Sequence, residues 1–70
     1  MLSVDETVEM LATKAEEEGI APFISGTLYV EAEYYRGAVI WTADHRRVTV
    51  DQVRVMIEAA RLQRSKLNIS

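Results

Sequence analysis

The hydrophobic period of this chain changes twice, from helical to alternating and back to helical. Any fold that buries its apolar residues must follow those two changes. Val4, Val8, Leu11, Ala12 and Ala15 recur at i, i+4, i+7, i+8 and i+11, a single helical stripe. Ser3 and Glu6 have the S-x-x-E spacing of a capping box, in which each side chain satisfies the other residue's free backbone N–H. Gly19 supplies the left-handed residue that ends a helix. The spacing predicts a first helix over residues 4–18, with Met10 off its stripe among Glu6, Glu9 and Glu17. Residues 20–26 read as a connector, because Pro22 restricts Ala21 and Gly26 permits a bend. Phe23 and Ile24 are expected to anchor that connector under the core.

From Thr27 the period is two. Leu28, Val30, Ala32 and Tyr34 alternate with Tyr29, Glu31, Glu33 and Tyr35, the pattern of a half-buried strand. Arg36-Gly37 makes a tight turn, and a second strand follows over residues 38–44. With a two-residue loop, Tyr34 pairs with Val39, Ala32 with Trp41 and Val30 with Ala43. Leu28, Val30, Tyr34, Val39 and Trp41 then share one apolar face, while Glu31 and Glu33 share the other with Tyr29, Tyr35, Ile40 and Thr42. A slip of one residue sets Val39 and Trp41 beside the glutamates, so this register is preferred.

Residues 44–47 read as a polar connector. Thr49 and Gln52 repeat the capping-box spacing, Asp51 suits the positive end of a helix dipole, and a second helix is predicted over residues 50–66. It carries two apolar stripes where a surface helix needs one: Val53, Met56, Ile57 and Ala60, and separately Val55, Ala59 and Leu62. Arg54, Glu58 and Arg61 lie between them at spacings that allow pairing along the helix. The expected fold class is α+β, a helix–β-hairpin–helix (αββα) with the hairpin packed against two helices, in one domain over residues 1–70. This order and length resemble those of a phage head–tail joining protein of the lambda type, a likeness of element order that rests on no motif.

A chain of 70 residues buries only about 60 % of the surface it exposes unfolded, so its core is marginal. It has no cysteine to staple that core, which fits a reducing, cytoplasmic setting. With no cysteine and His45 as the single histidine, zinc-finger and iron–sulfur sites are excluded. No apolar run approaches the roughly 18 residues of a membrane span, so no membrane association is expected. The acidic, periodic first 20 residues do not read as a signal or transit peptide, and the reading expects a complete small gene product.

The chain offers little that carries chemistry. Its serines fall in a helix cap, a bend and the C-terminal region, and its glycines are isolated. Asp44 and His45 are neighbours, and neighbours on a strand point to opposite faces, a poor geometry for a base and its orienting acid. Glu31 and Glu33 face the same way about 7 Å apart, but a hairpin has no deep pocket to shift their pKa values. The expectation is no enzyme, no metal and no cofactor.

Charge is unevenly placed. Residues 1–35 hold eight acids against Lys14, and residues 36–70 hold seven bases against three acids, so a net −7 faces a net +4 within an overall −3. Glu16, Glu17 and Glu18 occupy the last turn of the first helix, where each acid is disfavoured by about 0.3–1 kcal/mol. Arg46 and Arg47 of the same chain, or a basic partner, are the expected compensation.

Two functions follow. The first is a small non-catalytic protein-interaction module, a homodimeric regulator, inhibitor or assembly factor of the size that phages and mobile elements often encode. Its expected partner-binding residues are Met10, Glu16, Glu17, Glu18, Tyr29 and Tyr35. Its expected dimer interface is Val55, Ala59, Leu62 and Ile40, with hairpins set edge to edge into one sheet. The alternative is a nucleic-acid-binding regulator using Arg46, Arg47, Arg54, Arg61 and Arg64, against which stand the acidic helix and a pI near 5.0.

Overall fold

Both helices start as their capping boxes predict. The Ser3 N–H donates to Glu6 Oε1 at 2.9 Å and the Glu6 N–H donates to Ser3 Oγ at 3.1 Å, opening α1 over Val4–Glu18. Thr49 and Gln52 make the same reciprocal pair at 2.8 and 3.1 Å ahead of α2, Val50–Ile69, three residues longer than expected. Gly19, at φ 93°, closes α1 by donating its N–H to the Ala15 carbonyl at 2.7 Å. The computed structural model describes residues 2–69, with side chains through Gln63.

Between the helices run four strands: β1 (Ile20–Ser25), β2 (Leu28–Tyr35), β3 (Ala38–Ala43) and β4 (Arg46–Val48). They form an antiparallel sheet in the order β1-β2-β3-β4. The central hairpin has the expected register, with Tyr34 opposite Val39, Ala32 opposite Trp41 and Val30 opposite Ala43. Arg36 at φ 50° and Gly37 at φ 81° give its turn the double positive φ whose twist matches the flanking strands.

The helix–hairpin–helix order is corrected to αββββα. Most of the expected connector at 20–26 is β1, pairing Ala21 with Ala32 and Phe23 with Val30. Proline removes one ladder donor, and an edge strand tolerates that loss. The expected connector at 44–47 is a turn at Asp44-His45 followed by β4, whose Val48 pairs with Trp41. Asp44 and His45 hold φ at 50° and 67° without a glycine. A four-stranded sheet where a hairpin was expected also removes the element-order likeness to the head–tail joining protein. Each hairpin strand has a neighbour from its own chain on both sides, so the expected edge-to-edge pairing of hairpins has no free edge to use. The edges are β1, carrying Pro22, and a three-residue β4, both devices that blunt edge pairing.

Both helices cover one face of the sheet. The core joins Val8, Leu11 and Ala15 of α1 and Val53 and Ile57 of α2 to Ala21, Val30, Ala32, Trp41 and Ala43 of the strands. Leu28 and Phe23 are half-buried beside it. Ile24, expected as a second anchor, faces the other way and is 69 % exposed, because strand alternation sends it opposite to Phe23. Four of the core residues are alanines, so Leu11, Ile57, Val30 and Val53 are its largest fully buried side chains.

Candidate functional site

Helices on one face leave the other face of the sheet open, and the pairing register determines which residues meet there. Ile20, Glu33 and Ile40 form one cross-strand row. Pro22, Glu31, Thr42 and Arg47 form a second that spans all four strands. Ile24 and Tyr29 form a third, and Tyr35 and Ala38 a fourth. Tyr29 and Tyr35 are thus placed with Ile40 on one surface, as the hairpin register implied. Ile20, Pro22 and Ile24 were missed by sequence reasoning, although they alternate with Ala21, Phe23 and Ser25 at period two. Pro22 in their midst hid the signal.

The charged groups of this face are carboxylates at its centre and cations at its margins. Glu31 is half-buried and Glu33 exposed, both on interior strand β2. The Glu31 carboxylate pushes the Tyr29 phenol above its usual value, first through hydrogen bonding, with desolvation and charge adding to it. The His45 ring lies 6.3 Å from that of Tyr29, tilted by 37°. The Arg36 guanidinium sits 5.3 Å over the Tyr35 ring, a cation–π contact at the end of the hairpin.

The second apolar surface is on α2. Val53 and Ile57 are buried and Met56 and Ala60 half-buried, so the first stripe faces the core. Val55 is 68 % and Leu62 59 % exposed, with exposed Ala59 between them. Val4 of α1 closes one side of a shallow groove along this stripe, edged by Arg54 and Glu58.

The acidic run and the arginines are not brought together. Glu16, Glu17 and Glu18 are exposed on the last turn of α1, and Met10 is exposed on its outer side above Lys14. Among the described residues the ion pairs all involve Arg54, with Asp5 at 3.0 Å and with Asp51 at 2.8 Å. Arg46 and Arg47, the expected compensation, are exposed on opposite faces of β4. Arg61 turns to α1 and donates to Thr7 Oγ1 at 3.1 Å, and the Thr7 hydroxyl donates to the Ser3 carbonyl at 2.8 Å. Among the described residues Thr7 is the buried polar one, at the contact between the helices, which apolar periodicity does not reveal. The Arg64 side chain lies outside the described residues.

Asp44 and His45 are both exposed in their turn, and no group of three or more possible metal-ligating side chains occurs among the described residues. No helix among them is long and apolar enough to cross a membrane. No protein-family model, curated protein or solved structure matches the chain.

Proposed function

We propose that this chain is a small non-catalytic protein-interaction module, a dimeric regulator, inhibitor or assembly factor that works by occupying a surface of a partner protein. The observation that supports this reading is the outer stripe of α2, where Val55 and Leu62 spend apolar surface that the chain's own sheet does not cover. The stripe is self-complementary about a two-fold axis. If Ala59 lies at the axis, its small side chain lets two antiparallel helices approach while Val55 of one copy faces Leu62 of the other. Full burial of a valine or leucine contributes about 1.5–3 kcal/mol, counted on both copies, against several kcal/mol for association itself. The dimer is therefore weak and concentration-dependent. The absence of cysteine supports a cytoplasmic setting.

The nucleic-acid reading ranks second. Arg54 and Arg61 are engaged by Asp5, Asp51 and Thr7, and Arg46 and Arg47 diverge across β4, so no row of free guanidinium groups faces one phosphate backbone among the described residues.

Sedimentation across a concentration series tests the proposal. The wild type is expected to approach twice 7.9 kDa as concentration rises, and L62E to remain a folded monomer. A wild type that stays a folded monomer at its highest soluble concentration overturns the dimer.

A further inference from the structure

We propose that the open face of the sheet receives a basic amphipathic helix from a partner, its apolar stripe against the isoleucines and its Lys or Arg side chains over Glu31 and Glu33. The inference rests on the interaction-module reading and names the chemistry of the partner, at a surface separate from the α2 stripe.

The first argument is charge. Glu33 stands between Ile20 and Ile40 in its cross-strand row, and Glu31 stands between Pro22 and Thr42. Two carboxylates about 7 Å apart along interior strand β2 are therefore framed across the strands by uncharged side chains, apolar except for Thr42. Neither is in an ion pair among the described residues. Arg47 shares Glu31's row but lies two strands away, about 10 Å by strand spacing. Arg36 is drawn over the Tyr35 ring. The Tyr34 N–H donates to the Gly19 carbonyl at 2.9 Å, which joins the end of α1 to the Glu33 end of β2 without adding a cation to this face.

The second argument is size. Four strands span about 14 Å, and Tyr29 to Tyr35 about 20 Å, enough for one helix of about 10–12 Å diameter. A standard protein interface takes about 800 Å² from each partner, more than this face offers, so a single segment fits it better than a folded surface. A second copy stacked on the face brings Glu31 and Glu33 against the same carboxylates. Nucleic acid finds two tyrosines for stacking, with two carboxylates beside them to repel its phosphates.

The test uses the full chain, isotope-labelled for NMR, with three probes: a synthetic Leu/Lys amphipathic helical peptide, its Leu/Glu counterpart and oligothymidine. The Leu/Lys peptide is expected to bind saturably and to move the resonances of Tyr29, Glu31, Glu33 and Ile40, and the other two probes to move none of them. E31K/E33K is expected to weaken that binding by at least about tenfold, because it sets like charges opposite one another. E9K, on the outer side of α1, is expected to leave it nearly unchanged. E31Q/E33Q weakens binding in the same direction and decides the matter if the lysine variant does not fold.

Shifts confined to α1 or to the α2 stripe, equal losses in E9K and E31K/E33K, or oligothymidine bound through the tyrosines each overturn the proposal. Sedimentation of the same samples separates the two readings. Self-association through α2 that persists while the peptide fails to bind sinks this inference and leaves the module reading standing.

Discussion

Ile57 and Val55 lie two positions apart on α2 and face opposite environments, one 1 % and the other 68 % exposed. Truncating each to alanine measures how sharply the structure divides the helix. Ile57→Ala removes three methyl- or methylene-sized groups, worth about 2.4 kcal/mol in transfer at about 0.8 kcal/mol each. A core with four alanines has few large side chains able to move into the void, so a cavity contribution adds to that. The expected loss is about 3–4 kcal/mol. A chain of 70 residues is stable by roughly 3.5–10 kcal/mol, so this one change removes about 30 % of its stability or more. Val55→Ala removes groups already in water and is expected to stay within about 0.5 kcal/mol. Trp41, the single tryptophan and 7 % exposed, reports urea unfolding by fluorescence in both variants. The measurement is made at low concentration so that self-association does not contribute. An Ile57→Ala midpoint close to wild type, or a Val55→Ala loss of similar size, refutes the assignment of the two stripes.

The carboxylate of Glu6 accepts from the Ser3 backbone N–H, which with the Ser3 side chain holds its pKa below the ordinary value. A pKa lowered by folding stabilises at pH above the unfolded value and is lost as pH falls through the folded one. Wild type is thus expected to exceed Glu6→Gln in thermal midpoint at neutral pH and to converge on it in acid; a gap that widens on acidification refutes this. His45, held at φ 67° in an exposed turn, bears a left-handed cost that glycine avoids. Allowing for the greater chain entropy of glycine when unfolded, His45→Gly is expected to stabilise by about 0.5–1 kcal/mol in urea denaturation. A loss of stability shows instead that the Tyr29 ring contact outweighs the strain.

What sequence alone determined about this protein was local. Both capping boxes, the closure of α1 at Gly19, the central hairpin register and the division of α2 into two stripes depend on residues a few positions apart, where period and side-chain reach leave few options. The candidate surfaces were legible to the same extent, with Val55, Ala59 and Leu62 readable from helical spacing and Tyr29, Tyr35 and Ile40 from strand alternation. The outer strands were not legible, because the local signs misled: Pro22 reads as a connector until an edge position excuses its missing N–H, and Asp44-His45 turns the chain without the glycine that usually marks such a turn. Tertiary structure alone decided what lies beside what across long separations. Ile20 flanks Glu33 only because β1 folds back on β2. Arg54 reaches Asp5 across 49 positions and Arg61 reaches Thr7 across 54, which ties two arginines of the basic half into the helix interface. The physical reason is that period and capping act within a few residues, whereas sheet order and helix contacts are selected by the burial of the whole core at once.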